Sequence, residues 1–220
     1  MSPWRLLRDG PGEAAWNMAL DEALLRHAAS GVLRIYQWRD PAVSLGYFQE
    51  AAVAPAGRPF VRRYTGGGLV DHARDVTYTV VVPRHDALGG LSTAESYSRI
   101  HEAVAAALRR IGVEAELAAS CDPEEADACF NRAVRFDVVH AGRKVAGAAQ
   151  RRTRAGMLQQ GSVLLPDPAR NEALRAALPE AFAAALGVAL EPGAPTEAER
   201  AEAETLVRER YGTEAWNRQR

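Results

Sequence analysis

Val76-Thr77-Tyr78-Thr79-Val80-Val81-Val82 is rich in β-branched and aromatic residues and has no glycine or proline. It is a buried strand, with Val76, Tyr78, Val80 and Val82 facing one way and Thr77, Thr79 and Val81 the other. Upstream, Pro59 to Tyr64 reads as a strand entering Thr65-Gly66-Gly67-Gly68. Further back, Val32 to Trp38 and Val43 to Tyr47 read as strands separated by Pro41, and Trp16 to Ala29 is a helix stopped by Gly31. Its stripe is Trp16, Leu20, Ala23, Leu24 and His27.

Downstream, Ser92-Thr93-Ala94-Glu95 is a capping box. It opens a long helix with the stripe Tyr97, Ile100, Val104, Leu108 and Ile111, ended by Gly112. Val113 to Leu117 is a strand, and Ser120 to Asp127, polar and containing Pro123, is a loop. Val134 to Val139 and Lys144 to Ala149 form a hairpin around Ala141-Gly142-Arg143, and Leu158 to Leu165 is a further strand. From Asn171 the chain is helical, broken at Gly187 and at Pro192-Gly193-Ala194-Pro195. A second capping box, Thr196-Glu197-Ala198-Glu199, opens a last helix reaching about Tyr211. Strands clustered in the middle, many of them sequence neighbours, predict an α+β fold: a mixed, largely antiparallel central sheet flanked by helices. One domain is expected over residues 1–220, with a helical C-terminal segment at 169–220.

The 220 residues are 47% hydrophobic, enough for a sizeable core. A net charge of -1, from 27 basic and 28 acidic side chains, gives no electrostatic footprint for nucleic acid. No run approaches the ~20 apolar residues of a membrane span. The N-terminus does not read as a signal peptide, so a soluble, cytoplasmic protein is expected. The two cysteines, Cys121 and Cys129, have neither disulfide-framework nor zinc-site spacing, and no metal is expected.

Several residues invite a chemical reading beside a structural one. Three successive glycines make either a tight turn or a bare backbone lying close to a ligand. The preceding Arg62 and Arg63 have the geometry to hold a carboxylate or phosphate. Lys144 starts a strand of small residues, Val145-Ala146-Gly147-Ala148-Ala149, and is either a solvated hairpin lysine or one beside a slender ligand, polarising a carbonyl. Cys129 is either a small buried thiol or a nucleophile. Hairpin pairing sets it opposite roughly residue 155, so only tertiary folding brings it to Lys144. His72 and His140 are candidate bases, with structural roles the alternative.

Arg62-Arg63-Tyr64-Thr65-Gly66-Gly67-Gly68 with His72, then Gly142-Arg143-Lys144-Val145-Ala146-Gly147-Ala148-Ala149-Gln150, then Leu158-Gln159-Gln160-Gly161-Ser162-Val163-Leu164-Leu165 occur in this order. In this the chain resembles the lipoate-protein ligase A and octanoyltransferase family, which shares its fold with biotin protein ligases. Asn17-Met18-Ala19-Leu20-Asp21 looks like the family's opening helix, and the resemblance extends from Trp16 to Trp216. Cys129-Phe130, Thr77-Tyr78-Thr79-Val80 and Glu214-Ala215-Trp216-Asn217 look most like the cysteine-dependent octanoyltransferases. Two positions depart from the family pattern: Gln160 stands where histidine is usual, and Ala148 where serine is usual.

The resemblance implies transfer of an octanoyl group from octanoyl-acyl carrier protein to the lysine of a lipoyl domain, such as glycine cleavage H protein. Cys129 would carry the acyl group and Lys144 would orient its carbonyl. Arg63, Thr65, Gly66, Gly67, Gly68, His72, Tyr78, Gly147, Gln150, Gly161 and Ser162 would bind substrate, Arg63 and His72 at the tunnel mouth or on the carrier's phosphopantetheine arm. Thioester exchange needs neither cofactor nor ATP. The alternatives are an ATP-dependent lipoate ligase, an amidotransferase moving octanoyl between lipoyl domains, and an inactive member that binds lipoyl domains or acyl groups.

Overall fold

The computed structural model describes residues 3–119 and 133–220. The chain runs β1 (Trp4–Gly12), α1 (Ala14–Arg26), β2 (Val32–Trp38), β3 (Val43–Leu45), β4 (Phe60–Arg62), β5 (Val70–Asp71), β6 (Val76–Pro83) and α2 (Thr93–Arg110). It continues through β7 (Glu116–Leu117), β8 (Val138–His140), β9 (Arg143–Arg152), β10 (Gly156–Val163), α3 (Asn171–Leu186), β11 (Leu190–Pro192), α4 (Glu197–Leu206) and α5 (Glu214–Asn217).

Eight strands form one sheet in the order β11-β1-β2-β6-β10-β9-β8-β7. β1 pairs in parallel with both β2 and β11, and every other ladder in this sheet is antiparallel. A small second sheet, β4-β3-β5, carries the glycine loop between its last two strands in sequence. The fold is α+β, with a mixed, largely antiparallel sheet and flanking helices.

The alternation read in β6 sorts the core into two layers. Val76, Tyr78, Val80 and Val82 pack with Ile100, Val104 and Leu108 of α2 and Leu174, Leu178 and Phe182 of α3. Val81 joins the opposite layer with Leu20, Leu24 and Leu25 of α1 and Leu206 of α4. Each large apolar side chain so buried contributes about 1.5–3 kcal/mol. Both capping boxes form: Ser92 with Glu95 opens α2, and Thr196 with Glu199 opens α4. Gly112 and Gly187 end their helices at φ 73° and 65°, the left-handed region that glycine enters without steric cost.

Three expectations need correction. The first hairpin strand begins at Val138, not Val134, because Arg135 and Phe136 form a turn and Asp137 is drawn inward. The strand expected from Val113 is only Glu116–Leu117. β1, β5 and β11 were not anticipated. β1 reads Trp-Arg-Leu-Leu-Arg-Asp-Gly-Pro-Gly, which does not alternate and ends in Gly-Pro-Gly, so its strand character comes from pairing on both edges rather than from a local pattern.

α1 buries Asn17, Asp21 and Glu22 along with its apolar residues, because it lies between the sheet and α4. The Asn17 amide nitrogen donates to the Gln37 carbonyl at 3.0 Å and its oxygen accepts from Arg34 at 2.9 Å. Asp21 accepts from Arg34 (2.7 Å), Thr79 (2.8 Å) and Gln160 (2.7 Å). This polar knot fixes the helix on the sheet, since each buried charge there is hydrogen-bonded.

Candidate active site

Lys144 is aimed by a β-bulge. Val139 pairs with Lys144 but Val138 pairs with Ala146, so β9 carries one extra residue, Val145. Val145 and Ala146 both enter the α2–α3 core, and Lys144 is turned onto the same face as Gly147. A Cβ at Gly147 would lie 2.6 Å from the Lys144 ε-carbon and 2.7 Å from Nζ, so the lysine reaches across the strand because residue 147 has no side chain. The Ala141-Gly142 turn is left-handed at both residues (φ 48° and 73°), which suits the twist of a two-residue hairpin loop.

Nζ of Lys144 lies 2.8 Å from Oδ2 of Asp137, a carboxylate with no solvent exposure. The same oxygen accepts the Val134 N–H at 2.9 Å, and Oδ1 accepts the Tyr97 hydroxyl at 2.6 Å. Burial, and next the Asp137 charge, push the Tyr97 phenol far above its ordinary value, so it stays a donor. The Phe136 carbonyl, from a residue at φ 72°, accepts the His101 Nδ1–H at 2.6 Å. Burial pushes the His101 pKa down to about 4.

His101 is therefore neutral in the folded protein at pH 7 and protonates more readily once unfolded. Between about pH 6.5 and 4 the unfolded chain binds the additional proton, so stability falls as pH falls through that window, by about 1.4 kcal/mol per pH unit. His101→Asn, which keeps a donor near the Nδ1 position, is expected to remove this component of the acid slope. Urea midpoints at pH 7 and 4.5 measure it, and identical slopes in both proteins would refute it.

The glycine loop is held from inside. Arg63 donates to the Ser44 carbonyl (2.9 Å), the Ser44 hydroxyl (2.7 Å) and the carbonyls of Gly66 (2.9 Å) and Gly68 (2.7 Å). Arg62 donates to the carbonyls of Gly46 and Asn217 at 3.1 and 2.9 Å. Among the described residues the arginine pair therefore serves mostly backbone carbonyls, which a five-donor guanidinium satisfies well. Gly46 is obligatory here, since a Cβ would meet the Gly67 carbonyl oxygen at 1.8 Å.

His72 is stacked on Trp38 with ring centroids 3.9 Å apart. Its Nε2 is 2.7 Å from the Ser44 hydroxyl, and its Nδ1 is 2.8 Å from Asp75 Oδ2. That oxygen also accepts from Thr77 (3.0 Å) and Ser162 (2.6 Å). His140 lies at the hairpin edge with Nδ1 2.5 Å from the Glu114 carbonyl oxygen, a structural contact.

A cavity opens between the glycine loop and the sheet. Thr77, Ser162 and Gly147 lie side by side on β6, β10 and β9, with Tyr36 opposite Thr77 on β2. Lys144 covers the Gly147 end, while Tyr36, Trp38 and Met18 wall the other. Three strand spacings separate Gly147 from Tyr36, roughly 14 Å, which suits a slender chain of medium length. Arg63, Gly67, Gly68, His72, Lys144, Gly147, Gly161 and Ser162 all border this cavity.

Thr65, Gly66, Tyr78 and Gln150 do not. Thr65 is buried behind the loop, donating to Gln160 at 2.7 Å. Gly66 lies against Phe48. Tyr78 points to the other face of the sheet, against Phe182. Gln150 bridges Ser96 and Gln159 at 3.1 and 2.6 Å. Gly161 borders the cavity with its backbone, and its missing side chain makes room on the other face for the Tyr78 ring, which a Cβ would meet at 2.1 Å.

Gln160 joins Thr65 of the loop to Asp21 of α1 (2.7 Å each), so this departure from the family pattern has a structural task. Cys121 and Cys129 lie outside the described residues. Asp137, Tyr97, Asp75, Ser44 and Trp38 were not singled out as site residues from the sequence. Asp137 sits between apolar neighbours just before a strand, a position that reads equally well as a solvent-facing turn.

The profile of the lipoyl protein ligase A/B catalytic domain matches residues 13–181. The chain belongs to that family. It is 37% identical to octanoyltransferase LipM of Kyrpidia tusciae, with 99% of each chain covered. It is 38% identical to octanoyltransferase LipM of Symbiobacterium thermophilum, covering 97% of both. In structure it is similar to a Thermoplasma acidophilum protein proposed to be a lipoate protein ligase, solved with bound lipoic acid, at a TM-score of 0.82, 26% identity and full coverage of both chains. Among the described residues there is no group of three side chains able to hold a metal ion, and no helix long and apolar enough to cross a membrane.

Proposed function

We propose that this acyltransferase moves an octanoyl group from octanoyl-acyl carrier protein to the lysine of a lipoyl domain, such as that of glycine cleavage H protein, through a Cys129 acyl-enzyme in the cytoplasm. The observation that carries this reading is Lys144, bent over Gly147 by the bulge and paired with buried Asp137, at one end of a cavity shaped for a slender chain.

The cavity takes the acyl chain, each buried methylene contributing about 0.8 kcal/mol. The Cys129 thiolate attacks the thioester carbonyl carbon, with the ammonium of Lys144 favouring the developing oxyanion. The carrier's thiolate leaves and takes a proton. The neutral amine of the acceptor lysine then attacks the acyl-enzyme, loses a proton to solvent, and forms an amide as the Cys129 thiolate is released. One thioester replaces another in the first step and the more stable amide forms in the second, so neither ATP nor a cofactor is consumed.

Intact-protein and peptide mass after incubation with octanoyl-acyl carrier protein, without ATP, tests this. An octanoyl adduct on Cys129 is expected. No adduct, with an adenylate formed from ATP and lipoate, would make the protein a ligase. Acylation from an octanoylated lipoyl domain alone would make it an amidotransferase, and binding without any adduct an inactive member.

A further inference from the structure

A second groove meets the acyl cavity at one point. Among the described residues, Lys144 alone borders both. The groove lies toward the hairpin edge, between the β5–β6 turn and the end of β10. Its apolar surface includes Leu164, 38% exposed, while Leu165 borders it with its side chain in the core. Arg74 and Arg143 flank it, both exposed and neither paired with a carboxylate among the described residues. The acid on its border, Asp71, is engaged by Arg58 at 2.9 Å. The groove thus presents two available guanidinium groups beside an apolar floor.

We infer that this groove receives the phosphopantetheine arm of the acyl carrier, with Arg74 and Arg143 binding its phosphodiester. The inference rests on the octanoyl-transfer reading and assigns the other half of the donor. A carrier thioester has two limbs joined at the reacting carbon, an alkyl chain and a pantetheine arm ending in phosphate. Here two recesses join at Lys144, one walled for a chain and the other flanked by cations. Arg63 and His72, expected from the sequence to meet this arm, are bonded inside the glycine loop and to Asp75, so the phosphate needs other partners. Guanidinium groups are the side chains best matched to phosphate oxygens.

The test is enzyme acylation, followed by mass, with two small donors: octanoyl-4'-phosphopantetheine and octanoyl-pantetheine, which lacks the phosphate. Wild-type enzyme is expected to prefer the phosphorylated donor in kcat/KM. Arg74→Ala and Arg143→Ala should each lower that preference, and the double variant should lower it roughly ten- to hundredfold, as for a lost charge-assisted contact. Raised salt should lower the wild-type preference in the same direction. A wild-type enzyme indifferent to the phosphate, or variants that slow both donors equally, would overturn the groove assignment while leaving octanoyl transfer standing. If no octanoyl thioester, the carrier's included, acylates the wild-type enzyme, the transfer reading fails and the groove assignment with it.

Discussion

Cys129→Ala is expected to leave a folded protein that forms no octanoyl adduct and transfers no octanoyl group. A free thiol has a pKa of about 8.5, leaving a few per cent as the reactive thiolate at pH 7 unless a cation lowers it. An alanine methyl offers no nucleophile at all, so the loss is complete rather than graded. The other cysteine is a poor substitute: Cys121 precedes Asp122, Glu124 and Glu125, whose charges raise a thiol pKa. Single-turnover acylation with octanoyl-acyl carrier protein, read by peptide mass, makes the measurement, and circular dichroism checks the fold. Wild-type rates in the variant, or an adduct mapped to Cys121, would remove Cys129 from the mechanism.

Lys144→Ala is expected to lower kcat/KM by about 10²–10³, the usual cost of removing one oxyanion donor. It also strands Asp137, whose negative charge is buried against Tyr97, and losing one partner of such a pair destabilises a protein by about 3–5 kcal/mol. Lys144→Ala combined with Asp137→Asn relieves that burden and should recover stability without recovering rate. Lys144→Arg is not a rescue, because the guanidinium is wider than the path over Gly147 and points its donors differently. Acylation rates and urea midpoints on these three variants separate chemistry from folding. Near-normal turnover in Lys144→Ala would exclude the lysine from the reaction.

Much of the fold is legible where local chemistry and tertiary role coincide. The β6 alternation, both capping boxes, and Gly112 and Gly187 as stops each encode a backbone or burial preference within a few residues. β1 and β11 carry no such signal, because their hydrogen-bond partners lie far along the chain. The same divide runs through the site. Gly66-Gly67-Gly68, Gly147 and Lys144 stand out by composition, since glycine runs and a lysine among small residues need a reason. Asp137 and Asp75 do not, because a polar residue next to a strand looks the same whether it faces water or a buried partner, and Tyr97, Ser44 and Trp38 do not, because inside a helix or strand they read as ordinary members of its pattern.

The sequence by itself determined the α+β class, the family, and some of the residues that border the cavity, Gly67, Gly68, Lys144 and Gly147 among them, because periodicity, capping chemistry and motif are properties of short segments. Only the tertiary structure decided what those residues do to one another. The extra residue at Val145 turns Lys144 onto Asp137, the two arginines bind backbone carbonyls of the loop and its surroundings, and Tyr78 faces the helices instead of the cavity. Each of these depends on strand register and on which distant group takes a buried hydrogen bond. Both are set by the packing of the whole chain.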